Sequence, residues 1–186
     1  MQKREDKFEK LIREPRRGDG FILSALDLGA GDGVYSRMMA EAGYHVQAVD
    51  ESVIKMGNLK DNRGTLPIAT FTDDVGRFDI TPGTFQLVIA RNVFPFIADK
   101  EIVKKVITKV SNGLKSGGKF AFTLFGPKDD WVGNPKMSFF EHEEILPLLE
   151  DINLEIVDRD EFIGEGYTMN RQIKNWHIHT YITRKK

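Results

Sequence analysis

The chain has 186 residues, is 40% hydrophobic and 30% charged, and carries a formal net charge of −1 at pH 7. That length suits one domain burying roughly 70% of its unfolded surface, and the near-zero charge argues against the basic footprint of a nucleic-acid binder. With no cysteine, a disulfide framework, a thiolate zinc site and a cysteine nucleophile are all excluded.

Residues 3–13 set Phe8, Leu11 and Ile12 at helical spacing, predicting a short amphipathic helix that ends before Pro15. The charged start MQKREDKFEKLIREP has no apolar core of signal-peptide length, and no apolar run reaches membrane-spanning length. A soluble, cytoplasmic protein without a membrane partner is expected. Residues 21–28 read as a buried strand, and 33–42 as a helix with Val34, Met38 and Ala42 on one stripe. A second strand over 45–49 and a short helix over 53–59 follow. The turn-rich DNRGT precedes a third strand at 67–71. FQLVIA, residues 85–90, is almost wholly apolar, as expected of a central strand covered on both faces. Asp99 can cap the next helix, where Ile102, Val103, Val106, Ile107, Val110 and Leu114 repeat with a helical period. Ser116-Gly117-Gly118 is expected to end it, with a fifth strand over 119–125. The loop GPKDDWVGNPKM leads to a helix around 143–149, in which Pro147 predicts a kink. Two late strands, 153–157 and 176–183, are separated by a turn-like stretch, 164–175.

Strands alternating with helices predict a parallel sheet with right-handed crossovers. The last two strands have no helix between them and are expected to pair antiparallel. Ligands of such sheets sit at the carboxyl ends of the strands, near the point where strand order reverses.

The stretch ALDLGAGDGVYS, residues 25–36, lies at such an end. Gly29, Gly31 and Gly33 make G-x-G-x-G, one residue out of step with the dinucleotide pattern G-x-G-x-x-G. Asp27, just ahead of them, opposes a pyrophosphate and favours a cationic or zwitterionic ligand. Asp50, at the end of the second strand, stands where a carboxylate can accept both ribose hydroxyls; its other reading is a helix cap. The pair Asp73-Asp74 follows the third strand. A carboxylate there can accept from an adenine amino group with Val75 against the ring, or it is simple turn chemistry.

The order ALDLGAGDG, AVD, DDVGRF, FQLVIARNVFPFI and LKSGGKFAFTLFG resembles that of class I S-adenosylmethionine-dependent methyltransferases over residues 21–125. The RNVFPFI segment and the ending KNWHIHTYITRKK are similar to small-molecule methyltransferases of the tellurite-resistance type. The resemblance implies an α/β, single-domain Rossmann-like fold with a seven-stranded sheet in the order 3-2-1-4-5-7-6, strand seven antiparallel, and helices on both faces. It implies one domain over 1–186: an N-terminal helix or lid segment (1–20), a cofactor-binding core (21–125), and a substrate loop, last helix and antiparallel strand pair (126–186). It implies S-adenosyl-L-methionine as cofactor. Asp27 and Gly29, Ala30, Gly31 and Gly33 would hold the methionine part. Asp50, with Glu51 and Ser52, would hold the ribose, and Asp74 and Val75 the adenine. Asn92 and Val93 would line the pocket beside Arg91.

For the acceptor side, Phe94, Phe96, Trp131, Asn134, Met137 and Phe139-Phe140 are the candidates. Core packing is the reading for Phe139-Phe140, whereas Trp131, in a Gly/Pro/Asp loop, suits ligand contact. No residue stands out as a general base. His177 and His179 share a strand face and can ligate a metal, but no third ligand has evident spacing, so structural hydrogen bonding and no metal site are expected. Asn134-Pro135 resembles part of the catalytic motif of amino-methylating nucleic-acid enzymes, but it falls after the wrong strand and is rejected. Arg16 and Arg17 are candidates to pair with the methionine carboxylate. The function expected is methyl transfer to a small-molecule acceptor by a monomer or weak homodimer. An RNA or protein methyltransferase and a non-catalytic cofactor-binding protein stay open as alternatives.

Overall fold

The computed structural model describes residues 6–14 and 22–186. The elements run α1 (Lys7–Arg13), β1 (Leu23–Leu28), α2 (Val34–Glu41), β2 (Tyr44–Asp50), α3 (Val53–Asn62), β3 (Ile68–Thr72) and β4 (Phe85–Ala90). A 3₁₀ turn (Phe94–Phe96), α4 (Lys100–Gly113), β5 (Leu114–Phe125), α5 (His142–Asp151), β6 (Leu154–Tyr167) and β7 (Ile173–Lys185) complete the chain.

The seven strands form one sheet in the order β3-β2-β1-β4-β5-β7-β6. β1 to β5 are parallel, and β7 runs antiparallel to both β5 and β6. Two apolar cores follow from the alternation along the central strands. Ala25, Leu87, Ile89 and Ala121 pack with Phe8, Leu11 and Ile12 of α1, Met39 of α2, and Met56 and Leu59 of α3. Leu26, Val88, Phe120 and Phe122 pack on the other face with Val103, Val106, Ile107 and Val110 of α4 and with Ile145 and Leu149 of α5. Among the described residues no helix is long and apolar enough to cross a membrane.

Four local expectations change. The buried face of α2 is Ser36, Met39 and Ala40, while Val34 is 60% exposed. The helix is rolled so that Ser36 reaches the buried Asp27, and that polar contact outweighs the apolar stripe. Ser116-Gly117-Gly118 does not separate helix from strand: β5 already begins at Leu114, and the register against β4 shifts between Phe85 and Leu87. Gly117, at φ +76°, supplies the backbone turn such an irregularity needs. The stretch 164–175 is mostly strand, because β6 and β7 continue as a two-stranded ribbon to Tyr167 and Ile173. Its alternating charged and apolar residues hide it, since one face of that ribbon meets water. Finally, α5 extends over His142–Asp151 with Pro147 inside it.

The α4 stripe gives a stability test. Ile107 is fully buried and Ile102 is 40% exposed. Ile107→Ala is expected to cost about 2–5 kcal/mol and Ile102→Ala less than about 1 kcal/mol in urea melts.

Candidate functional site

A cavity of about 710 Å³ opens at the carboxyl ends of the parallel strands. One end is built by the segments after β1, β2, β3 and β4: Gly29 and Gly31, then Asp50, Glu51, Ser52 and Lys55, then Asp74, Val75 and Gly76, then Asn92 and Val93. The other end is aromatic and comes from Phe96 and Ile97, Phe125 at the end of β5, Trp131, Trp176, and the β6–β7 turn residues Thr168, Met169, Asn170 and Gln172.

The glycine loop is tied down by its neighbours. Ala30 N donates to Val49 O at 2.9 Å, and Gly31 N donates to Asp50 Oδ2 at 2.9 Å. Gly31, at φ +55°, has open space where a side chain would stand, with Lys55 Nζ the nearest atom at 3.9 Å. A Cβ there would project beside the cavity, so the glycine leaves a backbone cradle for a ligand. Gly33 serves packing instead: a Cβ would meet Leu59 Cδ1 at 2.4 Å. Neither Gly33 nor Ala30 belongs to the cavity wall.

Asp50 is not the helix cap. Ser52 caps α3, its hydroxyl accepting from Lys55 N at 3.3 Å. Asp50 Oδ1 accepts from Ser52 N at 2.9 Å, so each carboxylate oxygen takes one backbone donor and retains a lone pair toward the cavity. Asp74 Oδ1 accepts from Arg77 N at 3.2 Å and Val75 is partly buried beside it.

Asp27 stands apart from this wall. It is 2% exposed, beneath the loop, and accepts from Ser36 Oγ at 2.6 Å. Burial raises its pKa to about 7, against the lowering effect of the Ser36 bond, with the charge of Asp50 adding a smaller push upward.

Asn92 occupies the left-handed region at φ 53°. Thr123, a buried β5 residue, holds it there: its hydroxyl accepts from Asn92 N at 2.8 Å and lies 3.2 Å from Asn92 Oδ1, to which it donates. That leaves the Asn92 amide NH₂ without a partner among the described residues, in the cavity wall. Nothing in the sequence singles out Thr123, because the contact crosses between β4 and β5. Arg91 turns the other way, donating to Asp6 Oδ2 at 2.7 Å with its guanidinium over the Phe8 and Tyr35 rings. It fastens α1 to the sheet. No described residue of α1 belongs to the cavity wall, and Arg16 and Arg17 lie outside the described residues.

Of the acceptor candidates, only Trp131 and Phe96 reach the cavity. The 3₁₀ turn directs Phe94 inward, where it is fully buried against Phe120 and Phe122, and leaves Phe96 55% exposed. Asn134 closes a turn by accepting from Lys136 N at 3.0 Å and is absent from the wall. Phe140 is core, as expected, and Met137 is 9% exposed. The residues that sequence reasoning missed are Lys55, Gly76, Ile97, Phe125, Trp176 and the β6–β7 turn. Phe125 and Trp176 read as plain strand residues, and the turn gained its place only through the ribbon.

Trp131 is anchored by Asp129, a fully buried carboxylate. Asp129 Oδ1 accepts from Trp131 N at 3.0 Å and pairs with Lys174 Nζ, and Oδ2 accepts from His177 N at 3.1 Å. His177 Nδ1 accepts from Lys128 N at 3.0 Å, and Nε2 faces Glu161 Oε1 at 2.8 Å. The third group that the sequence did not reveal is therefore Glu161, clustered with His177 and His179. The Lys128 bond assigns the His177 proton to Nε2, which leaves this ring no lone pair for a cation. His179 is buried, has no hydrogen-bond partner on either ring nitrogen among the described residues, and is pushed down to about 4 by burial and by His177.

Residues 25–118 match the family model described as a methyltransferase domain. No curated protein sequence matches the chain. Among solved structures, a putative S-adenosylmethionine-dependent methyltransferase from Listeria monocytogenes is 17% identical, with 96% of this chain and 95% of that one covered at a TM-score of 0.75. TehB from Haemophilus influenzae is 23% identical, with 89% of this chain but 58% of that one covered at a TM-score of 0.74. A Burkholderia thailandensis 1,6-didemethyltoxoflavin-N1-methyltransferase, solved with that compound and S-adenosylhomocysteine, is 18% identical; 90% of this chain and 72% of that one are covered at a TM-score of 0.66. Fold and strand order are those of a Rossmann-like methyltransferase. The chain belongs to the methyltransferase domain family and is a class I S-adenosylmethionine-dependent methyltransferase.

Asp27 gives this site a pH signature. The folded protein keeps it protonated up to about pH 7, whereas the unfolded chain releases the proton near 3.8. Between those values the folded state binds more protons, so this group's contribution to stability is complete below about pH 4 and is lost as pH rises to about 7. Asp27→Asn keeps an acceptor for Ser36 and is expected to flatten that part of the profile, measured as urea midpoints from pH 4 to 8.

Proposed function

We propose that the enzyme methylates a small molecule held in the aromatic end of the cavity, beside the cofactor held at the glycine-loop end. One observation carries this reading: both ends belong to a single cavity of about 710 Å³, a size suited to small-molecule sites and not to a polymer track. The bound toxoflavin precursor of the Burkholderia neighbour and the tellurite-resistance-like character of the sequence support the same acceptor class.

The residues fit S-adenosylmethionine. The Gly29–Gly31 backbone admits the methionine part, Asp50 accepts from the ribose hydroxyls, Asp74 accepts from the adenine amino group, and Val75 covers the ring. Glu51 and Ser52 complete the ribose side. Asn92 offers its amide NH₂ between the two ends, next to Val93. Asp27 acts from beneath the loop, through Ser36 of α2. When bound there, the cofactor would supply a sulfonium-activated methyl for transfer to an acceptor lone pair, with the sulfur as leaving group.

Among the described residues of the aromatic end, none carries a carboxylate or an imidazole. The chain therefore works by alignment and by excluding water with Phe96, Phe125, Trp131 and Trp176, and the acceptor brings its own lone pair. Alignment of this kind accounts for about 7–11 kcal/mol of a barrier.

S-adenosylhomocysteine at 100 times its Kd is expected to add about 2.7 kcal/mol of stability, read as a raised Tm, and NAD to add none. Turnover with a labelled methyl donor across thiols, amines, heteroaromatics and tellurite tests the acceptor class. Transfer only to RNA or protein would replace it. Asp50→Ala is expected to weaken S-adenosylhomocysteine binding in calorimetric titration by about 2–4 kcal/mol, from two charged hydrogen bonds partly replaced by water. Unchanged affinity would leave Asp50 as a loop tie alone.

A further inference from the structure

Behind the aromatic end of the cavity lies a cation that belongs to the chain. Lys174 of β7 has a side chain only 5% exposed, and its Nζ lies 3.8 Å from the ring centroid of Trp131 and 3.8 Å from that of Trp176. Phe125 forms a third wall at 5.4 Å. The ammonium is paired with Asp129, which is itself fixed by the Trp131 and His177 backbone donors. This is the arrangement by which aromatic boxes bind ammonium ligands, with the ligand's place taken by a side chain.

The same three rings, with Phe96, form the wall facing the cavity. A second cation arriving there meets rings already engaged by Lys174 and is repelled by the ammonium behind them. An anion gains little, because Asp129 balances that ammonium. The other polar groups at this end, Thr168, Asn170 and Gln172, are neutral hydrogen-bonding side chains. A flat, uncharged ring loses no ionic hydration and stacks on indoles polarised by the buried ammonium.

Resting on the small-molecule reading above, we propose that Lys174 sets the charge class of the acceptor: by filling the aromatic box it excludes cations and admits an uncharged planar aromatic molecule. Trp131 and Trp176 are the chain's two tryptophans, so fluorescence excited at the red edge of the indole band, where tyrosine does not absorb, reports on this box. The protein saturated with S-adenosylhomocysteine is titrated at pH 8 with isoquinoline, 2-methylisoquinolinium and 2-naphthoate, which are neutral, cationic and anionic rings of one size. Isoquinoline is expected to bind about tenfold more tightly than either ion. In Lys174→Ala/Asp129→Asn, which removes the ammonium and opens the box while keeping an acceptor oxygen for one of the Trp131 and His177 amides, the preference should reverse toward 2-methylisoquinolinium by about tenfold. Equal binding of the probes by the wild-type protein, no binding of any of them, or an unchanged ratio in a double variant that still binds S-adenosylhomocysteine overturns the proposal. The wild-type ratio decides the matter even where the variant fails to fold. Failure of the wild-type protein to bind S-adenosylhomocysteine would instead strike the methyltransferase reading itself.

Discussion

The hydrogen bond from Gly31 N to Asp50 Oδ2 joins the two parts of the chain on which the site depends. β1 and β2 are parallel neighbours, so their carboxyl ends come together automatically, and the Ala30 N–Val49 O bond carries the pairing one step into the loop, but no backbone pairing with β2 holds Gly31. The Asp50 carboxylate does so, taking Gly31 on one oxygen and Ser52 on the other. It thereby sets both the glycine cradle and the start of α3. A charged acceptor makes each bond stronger than a neutral one, and the fixed carboxylate keeps a lone pair on each oxygen for a ligand.

Beneath that loop the protein holds a second carboxylate in the opposite condition. Asp27 is buried against Ser36, and desolvation outweighs the hydroxyl bond enough to raise its pKa to about 7. The two acids of this segment pair differ in surroundings because one faces the cavity and the other faces the α2 core. The roll of α2 serves this contact, which is why its apolar stripe is not its buried face.

The far end of the cavity depends on a third carboxylate. Asp129 draws the loop after β5, the start of β7 and the Lys174 ammonium onto one point. A buried ion pair of this kind contributes specificity of arrangement more than net stability. Here it fixes the two indoles against each other, at a ring-centroid distance of 5.2 Å, and so shapes the wall an acceptor meets.

The sequence by itself determined the parallel sheet, the α4 stripe, the glycine turn and the acids after β2 and β3, because each is written in neighbouring residues: apolar runs, helical spacing, or a motif at a strand end. Strand order, including the antiparallel β7, followed from the missing helix between the last strands together with the family resemblance. Only the tertiary structure decided which of those residues face the cavity. Phe94 and Phe96 are two residues apart and equally apolar, yet the 3₁₀ turn buries one and exposes the other. Asp27 sits in the same motif as Gly31, yet the pleat directs it into the α2 face. Thr123, Phe125, Trp176 and Lys174 carry no local signal, since their roles arise from contacts between strands and loops far apart in the chain. The β6–β7 ribbon is the clearest case: its stability as strand comes from pairing with itself, while its composition looks like turn. Hydrophobic pattern reports how much of a residue is buried; what it is buried against is settled only when distant segments meet.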